Sequence, residues 1–306
     1  MRIDGGDLRF TDSDGVTLLP YWIEKWNPRG TSIIWVKVPK IPANGEKKIY
    51  LYYGNPKATS RSNGGEVFEF FDDFQKLSTH TWGITSESKS YDVKIIGSRE
   101  FHDGKGLKVY GKYDVEQFTN VYTKNTWNVP NTKPTYIVET RVSPRTKGIN
   151  NFDARLSLYT ANEAVDRNPA WARGAHIIAV GGGCWGRGCW YWQYDGKYDG
   201  VRSYVWDNNG DKVYWPREWF IISIAYYGGD TIYYVWKDDG TPYNEPYAYK
   251  IYDKARSSFR IVLGNHAESI AMAPDTTIET WFDWVRIRKY VRPEPLVAVG
   301  SEETQP

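Results

Sequence analysis

The sequence predicts an all-β protein, an antiparallel sandwich of jelly-roll type with a small β module ahead of it. Three observations carry this. Short segments rich in Val, Ile, Tyr, Trp and Thr recur along the 306 residues, each bounded by Gly, Pro, Asn or Asp. Helical periodicity is nearly absent. Hairpin signals stand where the strands should reverse: Gly228-Gly229-Asp230 after Phe220–Tyr227, and Asp238-Asp239-Gly240 after Thr231–Trp236. Many short strands with such punctuation read as a sandwich or jelly roll.

In chain order the expected strands are Ser32–Val38, Lys48–Tyr53, Leu107–Tyr110, Tyr136–Val142, Ala154–Tyr159, His176–Val180, Trp190–Tyr194, Ser203–Trp206, Phe220–Tyr227, Thr231–Trp236, Ser258–Leu263 and Thr280–Arg288. Asp12-Ser13-Asp14-Gly15 reads as an Asx-type turn, since it lacks the further carboxylates of a calcium loop. The stretch GNPKATSRSNGGE, residues 54 to 66, loses its apolar residues and marks the boundary. The expected units are therefore a small β module over 1–60, a sandwich over 66–292 and a Pro- and Glu-containing tail over 293–306. Around Asp283, Phe282, Trp284 and Ile287 do not fit one alternation, so a bulge is expected there.

The stretch from Gly181 to Trp206 holds both cysteines and a dense run of Trp and Tyr. Period-2 spacing puts Trp190, Trp192 and Tyr194 on one face of a strand. Three large rings there either fill the seam between two sheets or form a platform that stacks on a ligand. Cys184 and Cys189 lie close enough to close a small ring. No second Cys/His pair stands nearby to make a zinc site.

Net charge is +2, from 39 basic and 37 acidic side chains, and no basic stripe with interleaved aromatics appears, so nucleic acid is not an expected partner. No apolar run is long enough for a membrane-spanning helix. The opening MRIDGGDLRF shows no secretory leader. Two Met and two Cys beside abundant Lys, Arg and Glu point to a thermophilic source.

The segment GGDLRFTDSDGVTLLPYWIEKWN, followed by WVKVPKIPANGEKKIYLYYGNPKATS, resembles the domain-of-unknown-function family 2341 over residues 4 to 57. The order of motifs is specific: DLRFTDSDG, LPYWIE, WVKVP with IPA, then IYLYYGN. That family occurs in large secreted or surface-anchored proteins of archaea and bacteria, which implies an extracellular or cell-surface location. Its members carry a further leading segment, so the resemblance implies a module lacking its first strand, with an open sheet edge available for self-association. Phe71-Asp72-Asp73-Phe74 and Trp82 then resemble the opening of a concanavalin A-like jelly roll, the fold of legume lectins, laminin G domains and many glycanases. WFDWVRIRKYV, residues 281 to 291, resembles its closing strand.

That second resemblance frames the chemistry. Glycan hydrolysis needs two carboxylates, about 5–5.5 Å apart for retention or 6.5–9.5 Å for inversion. Laminarinase-like enzymes carry them on one strand as Glu-x-Asp-x-x-Glu. Here the corresponding strand reads GAHIIAVGG and has no acid. The nearest candidates are Glu139 and Asp153, as an opposed pair on neighbouring strands or as ion-pair partners of Arg141 and Arg155. A lyase would use a Tyr or His base beside Arg or Gln, and His176 with Arg155, Arg173 and Gln193 supplies those types. The jelly-roll resemblance also implies a structural calcium at Asp283 with Asp72, the alternative being an Asp bonded to backbone. No other cofactor is required. Sugar binding needs aromatic faces and a few polar side chains. The candidates are Trp171, Trp185, Trp190, Trp192, Tyr194 and Trp206 for stacking, with Arg173, His176 and Gln193 for hydroxyls. The expected function is an extracellular glycan-binding or adhesive domain. The alternatives are a glycan-degrading hydrolase or lyase, and a filament or surface-layer subunit.

Overall fold

A computed structural model of the chain describes residues 1–114, 117–145, 152–166, 175–184, 187–194, 203–204, 217–241, 248–251, 255–267 and 276–303. The N-terminal module holds β1 (Arg9–Thr11), β2 (Leu18–Leu19), β3 (Tyr21–Lys25), β4 (Ile33–Val36) and β5 (Tyr50–Tyr52). After a single helical turn, α1 (Gly64–Val67), come β6 (Phe70–Asp72), β7 (Trp82–Ser86), β8 (Ser90–Gly97), β9 (Lys105–Tyr113), β10 (Gln117–Thr123), β11 (Trp127–Asn128) and β12 (Thr135–Pro144). The chain continues through β13 (Phe152–Tyr159), β14 (Ala175–Cys184), β15 (Arg187–Tyr194), β16 (Ser203–Tyr204), β17 (Phe220–Tyr227), β18 (Asp230–Lys237), β19 (Ala248–Ile251), β20 (Ser258–Ala267) and β21 (Thr276–Tyr290).

Two eight-stranded antiparallel sheets form the sandwich. The first runs β16-β15-β14-β13-β20-β10-β7, with β11 beside β20; the second runs β19-β18-β17-β12-β21-β9-β8, with β6 beside β21. The chain crosses repeatedly between the layers, so sequence-distant strands become neighbours, as expected of a jelly roll. Alternation decides what each strand buries. Ala154, Leu156 and Leu158 of β13 face Val138, Ile222 and Val285 of the second sheet, in one core with Phe74, Phe220 and Phe259. Tyr113, Thr119 and Asn265 form a polar knot within this interior, where Tyr113 donates to Thr119 at 2.8 Å and Asn265 Nδ2 donates to the Val109 carbonyl at 3.1 Å. Every member is buried, so these bonds fix the register between layers that apolar contact alone leaves free.

The expected bulge is present. Arg141 pairs with Trp284 and Val142 with Phe282, leaving Asp283 as the extra residue. Phe282 and Val285 therefore point inward, while Asp283 and Trp284 both reach the outer side.

The N-terminal module contains a three-stranded sheet, β2-β1-β5, and the hairpin β3-β4. It packs on the outer face of the second sheet. Trp22 meets Trp284 edge-on at 5.9 Å and Phe68 at 5.6 Å, within a buried cluster that includes Ile221. Beside it, Arg286 donates to Glu139 at 2.7 Å and to Glu24 at 2.8 Å. The Arg286 guanidinium lies 4.2 Å from the centre of the Trp35 ring and 4.4 Å from that of Trp284. Arg288 donates to Glu139 at 3.0 Å and to Glu294 at 2.7 Å.

Glu139 thus holds two buried arginines. Removing it would leave uncompensated charge inside the junction, so Glu139→Ala should lower the unfolding free energy by about 3–5 kcal/mol. Urea denaturation measures this, and a loss under about 1 kcal/mol, the range of a surface pair, would show that water already reaches the cluster.

Candidate functional site

The outer face of the first sheet does not look like a surface built only to be covered. The sequence DARLSLY alternates strictly, and its outward members are Asp153, Arg155, Ser157 and Tyr159. Asp153 pairs across with His266, and Arg155 with Gly264. One strand further on, Asn120 pairs with Gly264. On the other side Arg155 faces Ala179, and Ser157 faces Ile177. Adjacent strands thus bring Asn120, Asp153, Arg155, Ser157, Tyr159 and His266 into one polar patch, each at most 1% exposed.

Local residue choice permits this. Gly264 and Ala179 flank Arg155 and leave room for its side chain to lie along the sheet toward Asp153. A Cβ at Gly264 would stand 2.4 Å from the Thr119 carbonyl oxygen and 2.6 Å from Asn120 Oδ1, so glycine is required there. Arg155 grips Asp153 through two nitrogens, Nη2 at 2.8 Å and Nε in closer contact. His266 Nδ1 lies 3.4 Å from the same carboxylate. Burial would raise the Asp153 pKa, but the Arg155 charge and the contact with His266 outweigh it and hold the carboxyl well below the usual range. Asn120 hydrogen-bonds Tyr159, whose hydroxyl burial pushes well above its ordinary value. Asn120 Nδ2 and Ser157 Oγ have no hydrogen-bond partner among the described residues. At one end the patch gives way to an apolar group of Tyr159, Ala175, Ile177 and Val262, capped by Val165.

Sequence-expected residues fall on both sides of this sheet. Asp153 is in the patch, and Gln193 is placed on the same face by its pairing with Ile177. Trp190, Trp192 and Tyr194 pair with Val180, Ile178 and His176. Those partners face the sandwich interior, where His176 Nδ1 lies 2.6 Å from the Tyr233 hydroxyl and its ring meets Tyr226. Their backbone positions thus share the inner side of the sheet. Trp171, Arg173, Trp185 and Trp206 lie outside the described residues.

Glu139 and Asp153 do not come together. Glu139 belongs to β12 in the second sheet and Asp153 to β13 in the first, each on its outer side, so the full core separates them. Asp153 takes Arg155 as expected, whereas Glu139 takes Arg286 and Arg288 instead of Arg141. Asp72 and Asp283 are also apart and do not fit a shared calcium. Asp72 points inward, accepting from Phe74 N at 2.8 Å and Trp82 Nε1 at 2.7 Å. Asp283 points outward, accepting from Arg141 at 2.7 Å and His102 N at 2.9 Å. Among the described residues no group of three His, Cys, Asp or Glu side chains is placed to hold a metal ion.

Asp283 and Arg141 line a concavity of about 140 Å³ at the module junction, with Glu24, Lys25, Glu100, His102 and Asp238. Burial raises the Asp283 pKa despite Arg141. Burial alone would lower the His102 pKa, but Asp103 raises it above its ordinary value. Glu24 meets Arg286, Glu100 meets Arg145, and Asp238 and Asp283 meet Arg141, so the cleft reads as junction packing. Asn120, Ser157, Tyr159 and His266 were not among the residues expected from the sequence. The polar alternation of DARLSLY is a signal that could have pointed to the face, but nothing in sequence names the strands beside it.

The N-terminal motifs DLRFTDSDG, LPYWIE and IYLYYGN form β1, the β2–β3 corner and β5 of one small module. Residues 4–85 match the family described as Domain of unknown function (DUF2341). The DUF2341 region runs past the Pro- and Gly-rich junction through β6 and into β7, strands that belong to the two sandwich sheets. An uncharacterized protein of Methanocaldococcus jannaschii is 32% identical over 118 residues, 37% of this chain; the match spans about a fifth of that protein's length. Solved structures similar to this chain include a β-1,3-1,4-glucanase (lichenase) from a mouse hindgut metagenome, 13% identical over 72% of this chain and 99% of that one, with a TM-score of 0.46. Lectin II from Ulex europaeus is 7% identical over 72% and 97% of the two chains, with a TM-score of 0.46.

Acid should loosen this structure through Glu139 and Asp153. The Glu139 carboxyl, which burial would raise, is held at about 2 by Arg286 and Arg288, below its ordinary 4.5. A depressed carboxylate contributes stability above its unfolded pKa and loses it as pH falls through the folded one. Thermal unfolding temperatures should therefore hold above pH 4.5 and drop between about 4.5 and 2. Glu139→Gln should flatten that drop, and an unchanged profile in the variant would assign it to other groups.

Proposed function

We propose that this chain is a glycan-binding module of an extracellular or cell-surface protein, taking its sugar on the outer face of the first sheet. The observation that carries this is the pair of unsatisfied polar atoms, Asn120 Nδ2 and Ser157 Oγ, in a fully buried polar patch. Buried polar groups without partners cost about 1–3 kcal/mol each, and native proteins keep few of them. A sugar hydroxyl donates and accepts at once, so it satisfies both an amide N–H and a serine hydroxyl.

Charge favours a neutral ligand. Asp153 and Arg155 neutralise each other at bonding distance, so the patch presents oriented dipoles without net charge. Beside Asp153 and Arg155 an anionic or cationic ligand would meet no unmatched charge and would be poorly solvated. Tyr159 adds an aromatic residue to this face. Binding suits the patch better than hydrolysis. The carboxylate beside Asn120 and Ser157, Asp153, is kept ionised by Arg155, which does not suit a general acid. Because the patch is sealed from bulk water, ligand entry requires its cover to yield, and each polar contact then forms in a low-dielectric setting.

Retention on a panel of immobilised neutral polysaccharides tests this. The chain should be retained by at least one, and Asn120→Ala should weaken retention at least tenfold without shifting the melting temperature by more than a few degrees. Retention by none of a broad neutral panel, or by Asn120→Ala as strongly as by the parent, would remove the site.

A further inference from the structure

The chain carries two halves of a strand pairing that it does not make with itself. The acceptor half is β5. It is the last strand of the three-stranded sheet, paired on one side with β1 through Tyr52–Arg9, Leu51–Phe10 and Tyr50–Thr11. On its other side no described main-chain group bonds to it. Leu51 is 43% exposed and Tyr53 38% exposed along this edge. An edge of this kind is a template for another strand unless it is blunted.

The donor half is the segment after β21. It is tied down by Glu294 on Arg288 and by Glu302 on the Tyr53 hydroxyl. Between these ties Leu296 is 100% exposed, Val297 89% and Val299 93%. Three large apolar side chains within four residues, two of them β-branched, suit an added strand and gain nothing from water. In its own chain this segment touches the three-stranded sheet through the Glu302 side chain and forms no main-chain bond to β5 among the described residues. The surroundings are complementary in charge. Lys48 and Lys57 flank β5 and are exposed, while Glu294, Glu302 and Glu303 flank the apolar segment.

We propose that Leu296–Val299 of one copy adds as a strand to the β5 edge of a second copy. Donor and acceptor are different surfaces, so the contact is heterologous and leaves a free donor at one end and a free acceptor at the other. Head-to-tail chains of copies follow, with main-chain bonds supplying affinity and Leu296, Val297 and Val299 supplying the side-chain fit. This contact is independent of the sugar-binding patch, which lies on the other sheet of the sandwich.

Sedimentation velocity across a concentration series, at low and high salt, tests the pairing. The chain should form oligomers larger than dimers, more weakly at high salt because the flanking charges are screened. Val297→Pro, which spoils the donor, and Leu51→Asp, which puts an acid on the acceptor edge, should each weaken association at least tenfold. Mixed together they should recover a one-to-one dimer that grows no further, because each variant keeps one intact half. A purely monomeric parent overturns the proposal. So does association that survives both substitutions, or a monomer in which hydrogen exchange shows residues 296–299 protected on their own β5.

Discussion

The junction between module and sandwich depends on where the Arg286 guanidinium can be. It is a nearly buried charge that touches Glu24 of β3 and Glu139 of β12 and is ringed by Trp35, Trp284, Phe68 and Trp22. Apolar burial is non-directional, so the contact of Trp22 with Phe68 and Ile221 would tolerate some sliding of one unit on the other. A desolvated cation does not, because every shift that draws Glu24 away leaves charge behind in a medium of low polarity. The aromatic cage therefore supplies adhesion and the arginine supplies orientation. The same residue explains why β21 carries Arg at alternate positions, 286 and 288, on a sheet face that is otherwise covered.

This also decides which face is left for a ligand. The module occupies the outer side of the second sheet, at Trp284, Arg286 and Ile221. Among the described residues no second module packs on the outer side of the first sheet, and its residues are correspondingly different. Where the second sheet shows Trp and Phe to the module, the first shows Asn120, Asp153, Arg155, Ser157 and His266.

Much of the fold was legible because it is written in local alternation. DARLSLY sorts itself into an apolar and a polar face without tertiary information, and WFDWVRIRK announces its bulge because no single period fits it. The module boundary was legible from lost apolar residues, and the order of the N-terminal motifs carried the family. What was not legible is pairing between distant strands. Glu139 has Arg141 two residues away on the same face, yet the bulge turns Arg141 toward Asp238 and Asp283, and Glu139 is met instead by two arginines of β21. His266 and Asn120 lie far from Asp153 in sequence and become its neighbours only through β20 and β10. The aromatic run was ambiguous for a related reason. Period 2 tells which rings share a face, but only the register with β14 tells which face that is.

The buried polar patch changes what sugar recognition would rest on. A stacking platform gains its selectivity from shape, since any flat apolar face will lie on an indole ring. A buried row of dipoles gains it from satisfaction: each donor must meet an acceptor, and a ligand lacking one hydroxyl leaves a desolvated atom behind. The mutual neutralisation of Asp153 and Arg155 sharpens this, because it removes long-range attraction and leaves only short-range geometry to discriminate. On the proposed reading, selectivity on this face is set by hydrogen-bond geometry.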